Sequence, residues 1–156
     1  MTRKENLLRI ISDPAEIAAV YAEVAGKMPG FPHSCCAAVC STFLRKAGLN
    51  VAYQVNAQSL ADWLERDGHI IPHFTRVDRY RIKRGDIVVT VDGNDTPGAD
   101  HIFIATDDYR RGSNRIWCAD NNLIAPQYSH RQRNVDDGDE TLSKTPVNYG
   151  LAWPGE

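Results

Sequence analysis

No apolar run in this chain approaches the ~20 residues that a membrane-spanning helix needs, and no membrane insertion is expected. Nor do the first residues read as a secretion signal. Met1-Thr2-Arg3-Lys4-Glu5-Asn6 leads into a short apolar stretch broken by Arg9, with no small-residue cleavage site. The expectation is a protein synthesised in the cytoplasm without a signal peptide, which would reach a target outside the cell only after lysis or by specialised secretion. Net charge is also nearly absent: 18 Lys and Arg against 20 Asp and Glu leave -2. That excludes a general electrostatic case for nucleic acid. Two basic clusters, Arg76 to Arg84 and His130 to Arg133, are interrupted by Asp78 and by uncharged residues, and both read as solvated surface. Internal repeats and low-complexity segments are missing. The 4 cysteines lack the spacing of a zinc ribbon or finger, since Cys35 and Cys36 are adjacent and Cys40 follows Cys36 by one helical turn. No metal and no cofactor are expected, and without a secretion signal the cysteines read as thiols rather than bridges.

What is present fits one domain spanning 1–156, large enough to bury a core without staples. Asp13-Pro14-Ala15-Glu16 caps and opens a helix whose Ile17, Val20, Tyr21 and Val24 recur at helical spacing until Gly26, so residues 1–30 form an N-terminal helical segment. Pro29, Gly30 and Pro32 punctuate a loop. Within 31–68 an apolar helix follows, with Ser34 as its expected cap and Gly48 as its stop. A shorter amphipathic helix from Ser59 to Gly68 comes next, turning Leu60, Trp63 and Leu64 inward. His69 and His73 flank Pro72, which argues against a regular helix there, and both read as loop histidines.

The period changes within 83–154. Ile87-Val88-Val89-Thr90-Val91, His101 to Thr106 and Arg115 to Asp120 read as strands of an antiparallel meander, and Tyr149 to Trp153 as a closing strand. Asn121 to Lys144 is mostly polar and poorly periodic. Arg84-Gly85-Asp86 spells an adhesion tripeptide, which a turn into the first strand explains better. Helices first and strands afterwards predict an α+β domain with helices packed on one side of an antiparallel sheet. The chain is expected to be a monomer.

The apolar helix begins with a thiol. Helix N-termini favour thiolate over thiol, and the thiolate is the nucleophile; the competing reading is that cysteines in such a helix are core filler. A nucleophile needs a base and a group to orient it. His101, opening a strand after a glycine-containing loop, is the best-placed of the 5 histidines. Strand alternation puts Cys118, Asp120 and Asn122 on one face and Trp117, Ala119 and Asn121 on the other, so Asp120 or Asn122 can flank His101. Taken alone, Asp120-Asn121-Asn122 also reads as an ordinary strand-end turn.

The run Cys36-Ala37-Ala38-Val39-Cys40-Ser41, then Leu44 and Lys46-Ala47-Gly48-Leu49, resembles the Cys-Ala-Ala-hydrophobic-Val-Ser segment of CHAP-type cysteine peptidases in the NlpC/P60 superfamily. The order that follows is similar too: Ser59 to Gly68, Gly85-Asp86-Ile87-Val88-Val89, His101-Ile102-Phe103-Ile104, Asp120-Asn121-Asn122 and Leu151-Ala152-Trp153-Pro154. The resemblance covers roughly residues 30 to 154 and selects Cys36, because only its distance to Ala47-Gly48 matches. It departs at Phe103, bulky where the family has a small residue and expected to narrow the cleft, and at Cys35, where the family often has Trp or Asp.

This resemblance implies a papain-like fold with Cys36 as nucleophile, His101 as base and Asp120, or else Asn122, as its orienting partner. It further implies hydrolysis of amide or peptide bonds in cell-wall peptidoglycan through a thioester, with a stem peptide as substrate. A phage lysin or a secreted antibacterial effector would fit, the latter with an immunity protein as partner. The alternatives are a non-catalytic wall- or partner-binding domain of the same fold, an acyltransferase or deamidase using the same Cys-His pair, and a zinc-stabilised module.

Overall fold

The computed structural model describes residues 1–32, 34–68, 72–91, 98–121, 131–136 and 145–155. Helix α1 (Arg3–Ile10) opens with a capping box in which Thr2 accepts from the Glu5 N–H and Glu5 reaches back to the Thr2 N–H. Helix α2 (Pro14–Lys27) starts as its sequence predicts, with Asp13 accepting from the Ala15 N–H and Pro14 in the first turn. It runs one residue past Gly26. Helix α3 (Cys36–Lys46) ends through Gly48, whose φ of 98° lets the Leu49 N–H reach back to the Leu44 carbonyl. Helix α4 (Ala57–Asp62) is capped by Asn56, and its chain continues as a π turn over Trp63–Asp67. Gly68 ends that turn by close approach rather than by a left-handed backbone, since a Cβ there would lie 2.6 Å from the Trp63 carbonyl oxygen.

The strands are β1 (Thr75–Asp78), β2 (Ile87–Thr90), β3 (His101–Ala105), β4 (Arg115–Ala119), β5 (Arg131–Asn134) and β6 (Val147–Ala152). They form one 6-stranded sheet in the order β1-β6-β2-β3-β4-β5, every described pairing antiparallel. The expected meander is its β2-β3-β4 portion, and the closing strand lies between β1 and β2. The molecule is therefore an α+β domain with helices against an antiparallel sheet.

Alternation along β3 shows how the sheet is used. Ile102 and Ile104 join the main core with Phe43, Leu44, Leu60, Val20 and Leu7 from the helices. Phe103 and Ala105 point the other way, into a smaller core with Val88, Ile116, Cys118 and Val147, closed by Ile82 and Val135. Both faces of the sheet centre are dry, which explains why β2 reads as a continuous branched run. The turn before β2 is fixed from both sides: Gly85 has φ 89°, and buried Asp86 accepts from the Lys83 N–H and pairs with Lys4 at 3.7 Å. An Asp86 so buried is not offered to an adhesion partner.

Two expectations are corrected. Ser34 does not cap α3: it takes a left-handed backbone (φ 56°), and buried Cys35 occupies the cap position, its side chain not capping the helix. Phe103 does not narrow a cleft, because it is fully buried in the smaller core.

Candidate active site

Cys36 is the first residue of α3, packed against the start of β3, which His101 opens. The first N–H groups of a helix have no intrahelical acceptor, and the side chain at the cap position, Cys35, does not bond them. Burial opposes ionisation of the Cys36 thiol. A hydrogen bond from His101, the charge of its imidazolium and the N–H groups of Ile102 and Ala37 outweigh that burial, and hold the thiol below its ordinary range.

The other cysteines lack this environment. Cys40, one turn deeper, is pushed strongly upward by burial and by the neighbouring Cys36. Burial also raises Cys35, and Cys118 is buried in the smaller core. Cys36 alone among the four is partly exposed.

Burial of the His101 ring disfavours the imidazolium. Asp120 and Cys36 favour it, Arg133 disfavours it, and the balance lies above the ordinary histidine value. Its Nε2 lies 3.6 Å from Asp120 Oδ2, an ion-pair separation just beyond hydrogen bonding. Asp120 follows β4 directly, and its carboxylate is wholly buried. Tyr21 of α2 donates its hydroxyl to the Asp120 carbonyl, and Asn121 Nδ2 donates to the Pro32 carbonyl at 2.7 Å. These two bonds tie the end of β4 to α2 and to the loop ahead of the Cys36 helix.

The structure thus brings together Cys36, His101 and Asp120. Asn122 lies outside the described residues, as do His69 and His130. His73 is remote in role, its Nε2 lying 3.0 Å from the Gly68 carbonyl oxygen. Among the described residues no group of three His, Cys, Asp or Glu side chains is placed to hold a metal.

Arg133 was expected on solvated surface and is not there. It is buried on β5, and both Nε (2.8 Å) and Nη2 (2.7 Å) donate to Asp120 Oδ2. Burying the Asp120 carboxylate requires a compensating cation, and Arg133 supplies it. The segment Arg131-Gln132-Arg133-Asn134 contains no apolar residue, so hydrophobic alternation gives no hint of a strand. The available signal was the carboxylate itself, which needs a partner once it is placed inside. The other basic cluster does lie at the surface, with Arg76 paired to Glu65 at 2.7 Å and stacked on Tyr149.

An α+β domain carrying a thiol, an imidazole and a buried carboxylate in sequence-distant contact is the class that fold and site define. No family model, no curated protein and no solved structure matches the chain.

Proposed function

We propose that the chain is a cysteine-dependent amide hydrolase with a papain-like arrangement, similar to the CHAP and NlpC/P60 peptidases, and that it cleaves a stem-peptide amide of bacterial peptidoglycan. One observation carries the chemistry: a partly exposed thiol at the start of α3 beside a histidine whose Nε2 faces a buried carboxylate. The resemblance of Cys36 to Leu49 and of the strand order that follows supports the substrate class.

In this reading Cys36 Sγ attacks the amide carbonyl carbon, and the C–S bond forms as the carbonyl oxygen takes the electron pair. First-turn N–H groups of α3 stand where that oxyanion develops. His101 gives its proton to the departing amine as the C–N bond breaks, leaving a thioester on Cys36 and a neutral imidazole. A water then loses a proton to His101 and adds its oxygen to the thioester carbon. The C–S bond breaks, the carboxylic product leaves, and the Cys36 thiolate with the His101 imidazolium is restored. Asp120 orients the ring throughout. A phage lysin or a secreted antibacterial effector, the latter held in check by an immunity protein, would use this chemistry.

Purified sacculi treated with the protein should release stem-peptide fragments identifiable by mass spectrometry, and Cys36→Ala should lower the rate by at least ~10^3-fold. Equal release by the Cys36→Ala protein would overturn the assignment.

A further inference from the structure

We propose, resting on the thiol-hydrolase reading above, that Arg133 is a positioning residue that sets the charge balance of the Cys36–His101 pair by occupying the Asp120 oxygen that faces His101. The geometry is a competition for one atom. Oδ2 of Asp120 already accepts from Arg133 Nε at 2.8 Å and Nη2 at 2.7 Å, with the Cys118 thiol also directed at it from 3.9 Å. His101 Nε2 approaches the same oxygen only to 3.6 Å. That nitrogen is buried and has no hydrogen-bond partner among the described residues.

Arg133 is held where it makes this contact. Its backbone pairs with Ile116 in the sheet, and its guanidinium lies 5.3 Å from the Phe103 ring centroid. The same ring sits 5.7 Å from the His101 imidazole. Phe103 is fully buried, so the guanidinium and the imidazole share a fixed apolar neighbour as well as Asp120. Among the described residues, the charged and titratable groups facing His101 are Cys36 from α3, Asp120 from the end of β4 and Arg133 from β5. Thr90, its partner across β2, carries no charge.

The consequence for chemistry lies in the strength of the acid. An Asp120 bonded directly to Nε2 would favour the imidazolium more strongly and make it a weaker acid toward a leaving amine. With Oδ2 shared, the carboxylate still orients the ring but contributes only part of its charge. Arginine suits this role because its fork stays protonated at every working pH.

Two substrate-free titrations test this, so that a failure to hydrolyse peptidoglycan leaves the result readable. The His101 Cε1–H signal is followed by NMR, and the Cys36 thiolate by its absorbance near 240 nm. In Arg133→Gln the His101 midpoint should rise by about 1 pH unit, and the thiolate midpoint should fall, as Asp120 turns to the ring. Arg133→Lys, which keeps a cation but loses the fork, should give a smaller shift in the same direction. If the Gln protein does not fold, as judged by its melting transition, the Lys protein decides alone. An unchanged or lowered His101 midpoint in the folded variants would show Arg133 to be only a structural counter-ion and would overturn the proposal.

Discussion

At the scale of single residues, the site consists of groups that disagree with their burial. A thiol and an imidazole that burial would keep neutral are turned toward charge by one another and by Asp120. Cys36 should therefore be the one cysteine that reacts rapidly with iodoacetamide at pH 6, while Cys35, Cys40 and Cys118 stay inert until the protein unfolds. Peptide mapping of the alkylated protein reads this directly, and labelling at Cys40 would contradict it. His101→Ala should move the Cys36 midpoint back toward the free-cysteine value of about 8.5. The sign for stability follows from His101, whose folded value is raised. Its contribution is fully present below about pH 6.5, the unfolded value, and is lost as pH rises through the folded one. The Tm difference between the native chain and His101→Gln should accordingly narrow between pH 6 and pH 9. His101 was legible in the sequence because it opens a strand after a glycine-containing loop, Asp120 only as one of two candidates with Asn122 from strand alternation, and Cys36 was singled out among its neighbouring cysteines by the resemblance rather than by local pattern. Arg133 was not legible, because an inward-facing arginine on a short polar strand looks the same as an outward-facing one.

Elements matter through how they hold those residues. Helix α4 holds the lead-in to β3 through Gln58, whose Oε1 accepts the Ala99 N–H at 2.7 Å. The same glutamine donates to Asp62 at 2.8 Å, which fixes its orientation. Because His101 lies two residues beyond, Gln58→Ala should cost only ~1 kcal/mol in unfolding free energy yet lower turnover by about 10-fold, from the sensitivity of catalysis to small misplacements. Denaturant titration beside an activity assay separates the two effects. On β6, Gly150 has no room for a side chain, since a Cβ would lie 2.8 Å from Ile82 Cγ1 and 3.1 Å from Val77 Cγ2. Gly150→Ala should destabilise by ~1–3 kcal/mol through overpacking, measured from the urea midpoint, with the thiolate titration of Cys36 unchanged. Helix α2 could be read from its cap and periodicity, helix α3 from its apolar run and its Gly48 stop but not from its N-cap, and strands β2, β3 and β4 from their branched and alternating residues. Helix α1 carried its signal in the Thr2–Glu5 box, but a short apolar stretch interrupted by Arg9 obscured it. Strands β1 and β5 are edge strands of largely polar sequence, and their place in the sheet is set by pairing with β6 and β4, which no local pattern records.

For the whole molecule, the sheet order β1-β6-β2-β3-β4-β5 separates where the site is from where the fold is completed. Cys36, His101 and Asp120 all precede residue 121, yet edge strand β1 reaches the rest of the sheet through β6, which pairs with β1 on one side and β2 on the other. Trp153, just after it, locks this arrangement by donating Nε1 to the Gly85 carbonyl at 2.8 Å and packing on Phe74. A chain ending before Val147 should lose its cooperative thermal transition, seen by circular dichroism, although every residue of the site is still present. On a ribosome the same order acts as a clock: the strand that completes the sheet is translated after all three reactive positions. A growing chain therefore carries Cys36, His101 and Asp120 well before the strand that ties β1 to the rest of the sheet has been made.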